Sequence, residues 1–77
     1  MEERILKILE EQCEEVLDYD GDNMMEDGVI DSFTVLDIIN GLEEEFDIEI
    51  DADYVIAENL KNKDTIIALV RKVLAEN

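Results

Sequence analysis

At 77 residues, 47% of them apolar, the chain is long enough for one domain with a small core, but not for a substrate cavity beside it. Twenty-three acidic residues stand against six basic ones, giving a net charge of −17, and there is no histidine. This balance excludes nucleic acid as a partner, because phosphates are repelled, and favours basic protein surfaces, whose encounter it speeds at low salt.

Residues 2–17 are predicted to form an amphipathic helix, with Ile5, Leu6, Leu9, Cys13 and Val16 on one side. Glu2 and Glu3 suit its first turn, whereas Glu14, Glu15 and Asp18 oppose the dipole at its end, so packing must hold it. Residues 18–31 carry Gly21, Asn23, Gly28 and several aspartates with little periodicity. A loop of this length in a small domain is more often functional than idle. Val29 and Ile30 are expected to tuck under the bundle and fix where Ser32 is presented.

A second helix is expected over 32–46. At about 100° per residue, Val35, Ile38, Ile39, Leu42 and Phe46 make one core face. Phe33 and Leu36 fall away from that stripe, near Asp37, Asn40 and Glu44. Two exposed apolar groups inside an acidic face have the character of a docking surface. Ile48 and Ile50 alternate with acids but have no partner strand, and read as loop anchors. Asp51 or Asp53 is placed to cap a short third helix around Tyr54–Glu58. Asn62 or Asp64 is placed to cap a fourth, whose apolar side carries Ile66, Ile67, Leu69, Val70, Val73 and Leu74, with Arg71 and Lys72 complementing its C-terminal dipole. The expected architecture is all-α, a single domain over 1–77 built as a four-helix bundle: three main helices, one short one, and a long loop between the first two.

No tract of about 18 apolar residues is present, so no membrane span is expected. The opening Met1-Glu2-Glu3-Arg4 lacks the basic-then-apolar order of a secretion signal. The lone Cys13 cannot form an internal disulfide, which suits a reducing cytoplasm.

An independent enzyme is not expected. General acid–base chemistry near neutral pH most often uses histidine, which is absent, and Cys13 has neither a base nor a nearby cation and reads as a core residue. Calcium fares no better. Asp18-x-Asp20-x-Asp22 opens like an EF-hand loop, but Asn23 and Val29 stand where glycine and glutamate are needed. A second frame from Asp47 to Glu58 places Ala52 at the glycine turn. No metal site is assigned.

Ser32 stands where the long loop becomes a helix, with Asp31 before it. Either residue is able to cap the helix; if Asp31 does so, the Ser32 hydroxyl is left free in solvent. Free N–H groups and the dipole at such a helix start also favour an anion, including a phosphate ester on Ser32.

The run Gly28-Val29-Ile30-Asp31-Ser32-Phe33, then Leu36-Asp37, then Leu42-Glu43-Glu44-Glu45-Phe46-Asp47-Ile48-Glu49-Ile50, resembles the acyl carrier protein family. The similarity covers most of the chain, including its length, acidity, helix order and the Leu60…Ile66-Ile67 approach to the last helix. The resemblance implies a carrier, not an enzyme, whose Ser32 hydroxyl is esterified with 4′-phosphopantetheine by a carrier-protein synthase, a phosphopantetheinyl transferase. The terminal thiol of that arm would hold an acyl or aminoacyl group as a thioester. By the same resemblance Asp31, Phe33, Leu36, Asp37 and Glu44 match positions that loading and transferring enzymes recognise through basic and apolar contacts. The implied carrier is a cytoplasmic monomer. Thr34 stands where housekeeping fatty-acid carriers have an acid, and Phe33 where they often have leucine. Those departures resemble discrete carriers of specialised pathways, including D-alanyl and other aminoacyl carriers. The competing expectation is a small acidic helical interaction module that uses Phe33 and Leu36 without any prosthetic group.

Overall fold

The computed structural model describes residues 2–76. Its elements in chain order are α1 (Glu2–Cys13), α2 (Glu15–Asp18), α3 (Ser32–Phe46) and α4 (Lys63–Glu76), with two 3-10 turns, Ala52–Tyr54 and Ala57–Leu60, between α3 and α4. Every element among the described residues is helical, as the hydrophobic periodicity predicts.

The first helix runs as one amphipathic unit with a tightened point in it. Glu14 keeps helical angles, φ −63° and ψ −22°, while the Leu17 N–H turns to the Glu14 carbonyl three residues back at 3.0 Å. Across that point the apolar side stays in register: Ile5, Ile8, Leu9 and Val16 are buried, and Leu6 and Cys13 are half-buried against the core. Ile8 joins the stripe although the five-residue pattern predicted for this helix omits it.

Helix α3 buries Val35, Ile38, Ile39 and Leu42, and α4 buries Ile66, Ile67, Leu69, Val70 and Val73. Each fully buried aliphatic side chain of this kind contributes about 1.5–3 kcal/mol through loss of apolar surface from water. Helix α1 packs on both α3 and α4. The α1–α3 approach is close at Gly41, where an added Cβ would lie 3.0 Å from Ile8 Cγ2. Farther along the same seam, Arg4 of α1 donates from Nε to the Glu45 carboxylate at 2.7 Å and from Nη2 to the Glu45 carbonyl at 2.8 Å. Its guanidinium also sits 4.6 Å from the centre of the Phe46 ring, so hydrogen bonding and cation–π attraction act together.

The ends of α3 and α4 are set by side chains. Asp47 stops α3 in the left-handed region (φ 52°), a conformation that aspartate tolerates better than most residues, and the N–H groups of Asp47 and Ile48 both turn back to the Glu43 carbonyl. Asn62, one of the two candidates, caps α4: its Oδ1 accepts the Thr65 N–H at 3.0 Å while the Thr65 hydroxyl donates to the Asn62 carbonyl at 2.9 Å.

Two expectations are corrected. The short third helix around Tyr54–Glu58 is a pair of 3-10 turns instead, the first capped by Asp51, whose Oδ1 accepts the Asp53 N–H at 2.9 Å. Asp51, Ala52 and Asp53 leave no large apolar side chain at the start of this segment to bury, so propensity is not reinforced by packing. Arg71 and Lys72 do not lie in the last turn of α4. Arg71 pairs instead with Glu2 of α1, and the Lys72 ammonium sits 4.9 Å above the Tyr54 ring, itself hydrogen-bonded through its hydroxyl to Glu76. Ile48 and Ile50 do anchor the connection after α3, half-buried and buried respectively.

Candidate functional site

The loop that precedes Ser32 is a built platform. Asn23 is buried, and its Oδ1 accepts the N–H groups of Met25 and Glu26 at 3.0 and 3.1 Å, folding the chain into a tight turn. Met24, fully buried, donates its N–H to the Lys61 carbonyl at 2.8 Å and accepts from the N–H groups of Val29 and Ile30 at 2.9 and 3.3 Å. Gly28 sits at φ +79°, where a side chain would be strained, and lets the chain reverse beneath the bundle. Ile30 is then buried and Val29 half-buried, as their placement before Ser32 predicts. Behind this turn, partial burial and then a hydrogen bond to the Asp27 carboxylate raise the Tyr19 hydroxyl pKa to about 12, so it stays protonated as a donor.

At the head of α3 the capping question resolves in favour of Asp31. Its backbone is extended (φ −117°, ψ −177°), and one carboxylate oxygen, Oδ1, accepts both the Thr34 N–H at 2.9 Å and the Thr34 hydroxyl at 3.1 Å. Those two bonds, the backbone one first, hold the Asp31 carboxyl below the usual carboxylate range, so it is charged at neutral pH. Ser32 is the first residue of the helix and is exposed. Because Asp31 supplies the cap, the Ser32 hydroxyl has no structural task at this helix start.

The face of α3 beyond Ser32 carries the other predicted residues. Phe33 is 77% exposed and Leu36 55%, the least covered large apolar side chains of the helix, and Asp37, Asn40 and Glu44 are exposed alongside them. Asp31, Phe33, Leu36, Asp37 and Glu44 are therefore all solvent-facing on one helix and its cap. Helix α3 itself carries no lysine or arginine, and the described ion pairs, Arg4–Glu45 and Arg71–Glu2, do not involve Asp31, Asp37 or Glu44.

A cleft of about 260 Å³ opens beside Ser32, lined by Met25, Val35, Leu36, Val55, Ala57 and Leu60. Apart from the Ser32 hydroxyl its lining side chains are apolar and uncharged. Its far wall comes from the segment after α3, which also exposes Ile56 at 47%. Periodicity singles out no residue in this stretch. The sequence leads to a helix around Tyr54–Glu58, so no sequence signal marks Ile56 as exposed.

Cys13 is half-buried, its Sγ 3.8 Å from the Val29 carbonyl, and so belongs to the underside of the platform. Among the described residues no cluster of three or more histidine, cysteine, aspartate or glutamate side chains is placed to hold a metal ion, and no helix is long and apolar enough to cross a membrane. Comparisons with protein-family models, with curated proteins and with solved structures find no match to this chain.

Proposed function

We propose that the chain is an acyl or aminoacyl carrier whose Ser32 bears a 4′-phosphopantetheine arm. The observation that carries this reading is an exposed serine hydroxyl, spared by the Asp31 cap, at the head of a helix with no basic residue and an uncovered acidic and apolar face. The resemblance of the run from Gly28 to Ile50 to the acyl carrier family supports it.

The residues present fit such a group. Ser32 Oγ is open to a transferase, a helix N-terminus favours the phosphate that would be attached there, and the adjoining cleft offers apolar wall to the organic part of the arm. Attachment forms a bond from Ser32 Oγ to the phosphorus next to the pantetheine and passes the hydroxyl proton to a base of the transferase. It breaks the pyrophosphate bridge of coenzyme A, so that adenosine 3′,5′-bisphosphate leaves with the bridging electron pair. The arm supplies a thiol for reversible acylation, which the half-buried Cys13 does not. The chain's own part is to present Ser32 rigidly and to give every partner enzyme the same charged address. Tethering the cargo raises its effective concentration at a docked enzyme.

Incubation with coenzyme A and a broad-specificity phosphopantetheinyl transferase, followed by intact-mass measurement, tests the reading. Wild type is expected to gain one covalent adduct and Ser32→Ala none; absence of the adduct on wild type, or its persistence on Ser32→Ala, overturns it. The exposure of Phe33 and Leu36 favours the alternative of an acidic interaction module without a prosthetic group, in which Ser32→Ala retains partner function and Phe33→Ala loses it.

A further inference from the structure

The far wall of the Ser32 cleft is a strap with few fastenings. Residues 51–60 run between α3 and α4 as two 3-10 turns. Their backbone bonds stay local: the N–H groups of Tyr54, Val55 and Asn59 reach back three residues, to the carbonyls of Asp51, Ala52 and Ile56. Both ends are tied down, the Ile50 N–H donating to Glu43 Oε2 and the Lys61 carbonyl accepting the Met24 N–H, each at 2.8 Å. Between those ends Leu60 is buried, but Val55 is half-buried and Ala57 exposed, although both line the cleft. Among the described residues, one side chain alone carries hydrogen bonds from the strap to another element. The Tyr54 hydroxyl donates to the Glu76 carboxylate of α4, with both oxygens in reach at 2.7 and 2.9 Å. The Lys72 ammonium, 4.9 Å from the centre of the Tyr54 ring, holds the same point. The Asn59 amide donates back to the Tyr54 carbonyl at 2.8 Å and ties the rest of the strap to that residue.

We propose that Tyr54 is a latch, and that its bond to Glu76 sets how widely the cleft beside Ser32 stands open. The two walls are unequal. Helix α3 is held by its buried stripe, whereas the strap relies on local bonds and partly exposed side chains, the kind of segment that opens at small free-energy cost. Glu76 lies in the last turn of α4, where a helix frays first. The far wall of the cleft therefore answers to the end of α4. A wound last turn holds the strap down, and unwinding that turn, or capture of Glu76 by a competing cation, frees Val55 and Ala57 to swing outward. The latch rests on the geometry of the cleft and not on the carrier reading, so each stands or falls alone.

Tyr54→Phe removes the hydroxyl and keeps the ring beneath Lys72, while Glu76→Ala removes the acceptor from the other side. In hydrogen exchange each is expected to speed the Val55 and Asn59 amides about fivefold, and the double variant to go no further than either single change. The Ile50 amide and the Thr65 amide at the α4 cap are expected to keep their wild-type rates. The width of the cleft is read separately, by alkylation of Val55→Cys in a Cys13→Ser background with a small uncharged maleimide. Adding Tyr54→Phe is expected to speed that reaction about fivefold. Unchanged exchange at Val55 and Asn59 overturns the latch, as does an alkylation rate that ignores Tyr54→Phe. Additive effects of the two changes, or equal rises at Ile50 and Thr65, show general loosening and overturn it too.

Discussion

Asp31 and Thr34 are joined twice through a single oxygen, Asp31 Oδ1 accepting both the backbone N–H and the hydroxyl of Thr34. Because these bonds favour the charged form, the folded-state pKa of Asp31 lies below its unfolded value. The stability the cap contributes is therefore full above the ordinary aspartate value of about 4 and is lost as pH falls through the lower folded value. Asp31→Ala is expected to lower the thermal midpoint by about 4–8 °C at pH 7 and to have little effect near pH 2. Thr34→Val keeps the backbone bond but loses the hydroxyl, and is expected to move the Asp31 pKa upward in a carboxyl NMR titration.

Burial separates two leucines on one helix. Leu42 is fully buried and Leu36 is 55% exposed. In urea unfolding, Leu42→Ala is expected to cost about 2–5 kcal/mol, and Leu36→Ala to stay within about 0.5 kcal/mol of wild type. A partner-binding assay is expected to rank them the other way, once the Leu42 variant is measured where it remains folded.

Within the Glu43-Glu44-Glu45 run, Glu45 takes Arg4 of α1, whereas Glu43 closes the end of α3. Its Oε2 accepts the Ile50 N–H at 2.8 Å and its carbonyl collects the N–H groups of Asp47 and Ile48. Glu43→Ala is expected to cost about 1–2 kcal/mol and to accelerate amide exchange at Ile50. Glu44→Ala, on the exposed face, is expected to leave Ile50 exchange unchanged.

Net charge sets a solution dependence. At −17 the folded chain repels itself, and mobile salt screens that repulsion over about 10 Å at 0.1 M. The thermal midpoint is expected to rise steadily between about 10 mM and 0.5 M sodium chloride. A flat or falling midpoint would show that the Arg4–Glu45 and Arg71–Glu2 pairs outweigh the repulsion.

Much of this was legible because the strongest signals are periodic. The stripe Val35, Ile38, Ile39, Leu42 and the pair Phe33 and Leu36 outside it follow from helical spacing alone, and both are where that spacing puts them. The choice of cap was not legible, since Asp31 and Ser32 are equally competent residues one position apart and only backbone angles separate them. Nor was the exposure of Ile56, which depends on how residues 51–60 lie across the bundle and not on any repeat within them. The destinations of Arg71 and Lys72 were missed for a related reason: a dipole argument looks along one helix, whereas their partners, Glu2 and Tyr54, lie on other segments.

The bond from the Met24 N–H to the Lys61 carbonyl pins the chain's two long connections to each other. Met25 and Leu60, the immediate neighbours of those residues, sit on the lining of the space beside Ser32. Widening that space would load this hydrogen bond together with the buried contacts of Met24 and Leu60. Deuterium uptake at the Met24 amide is thus a direct gauge of how far the mouth gapes.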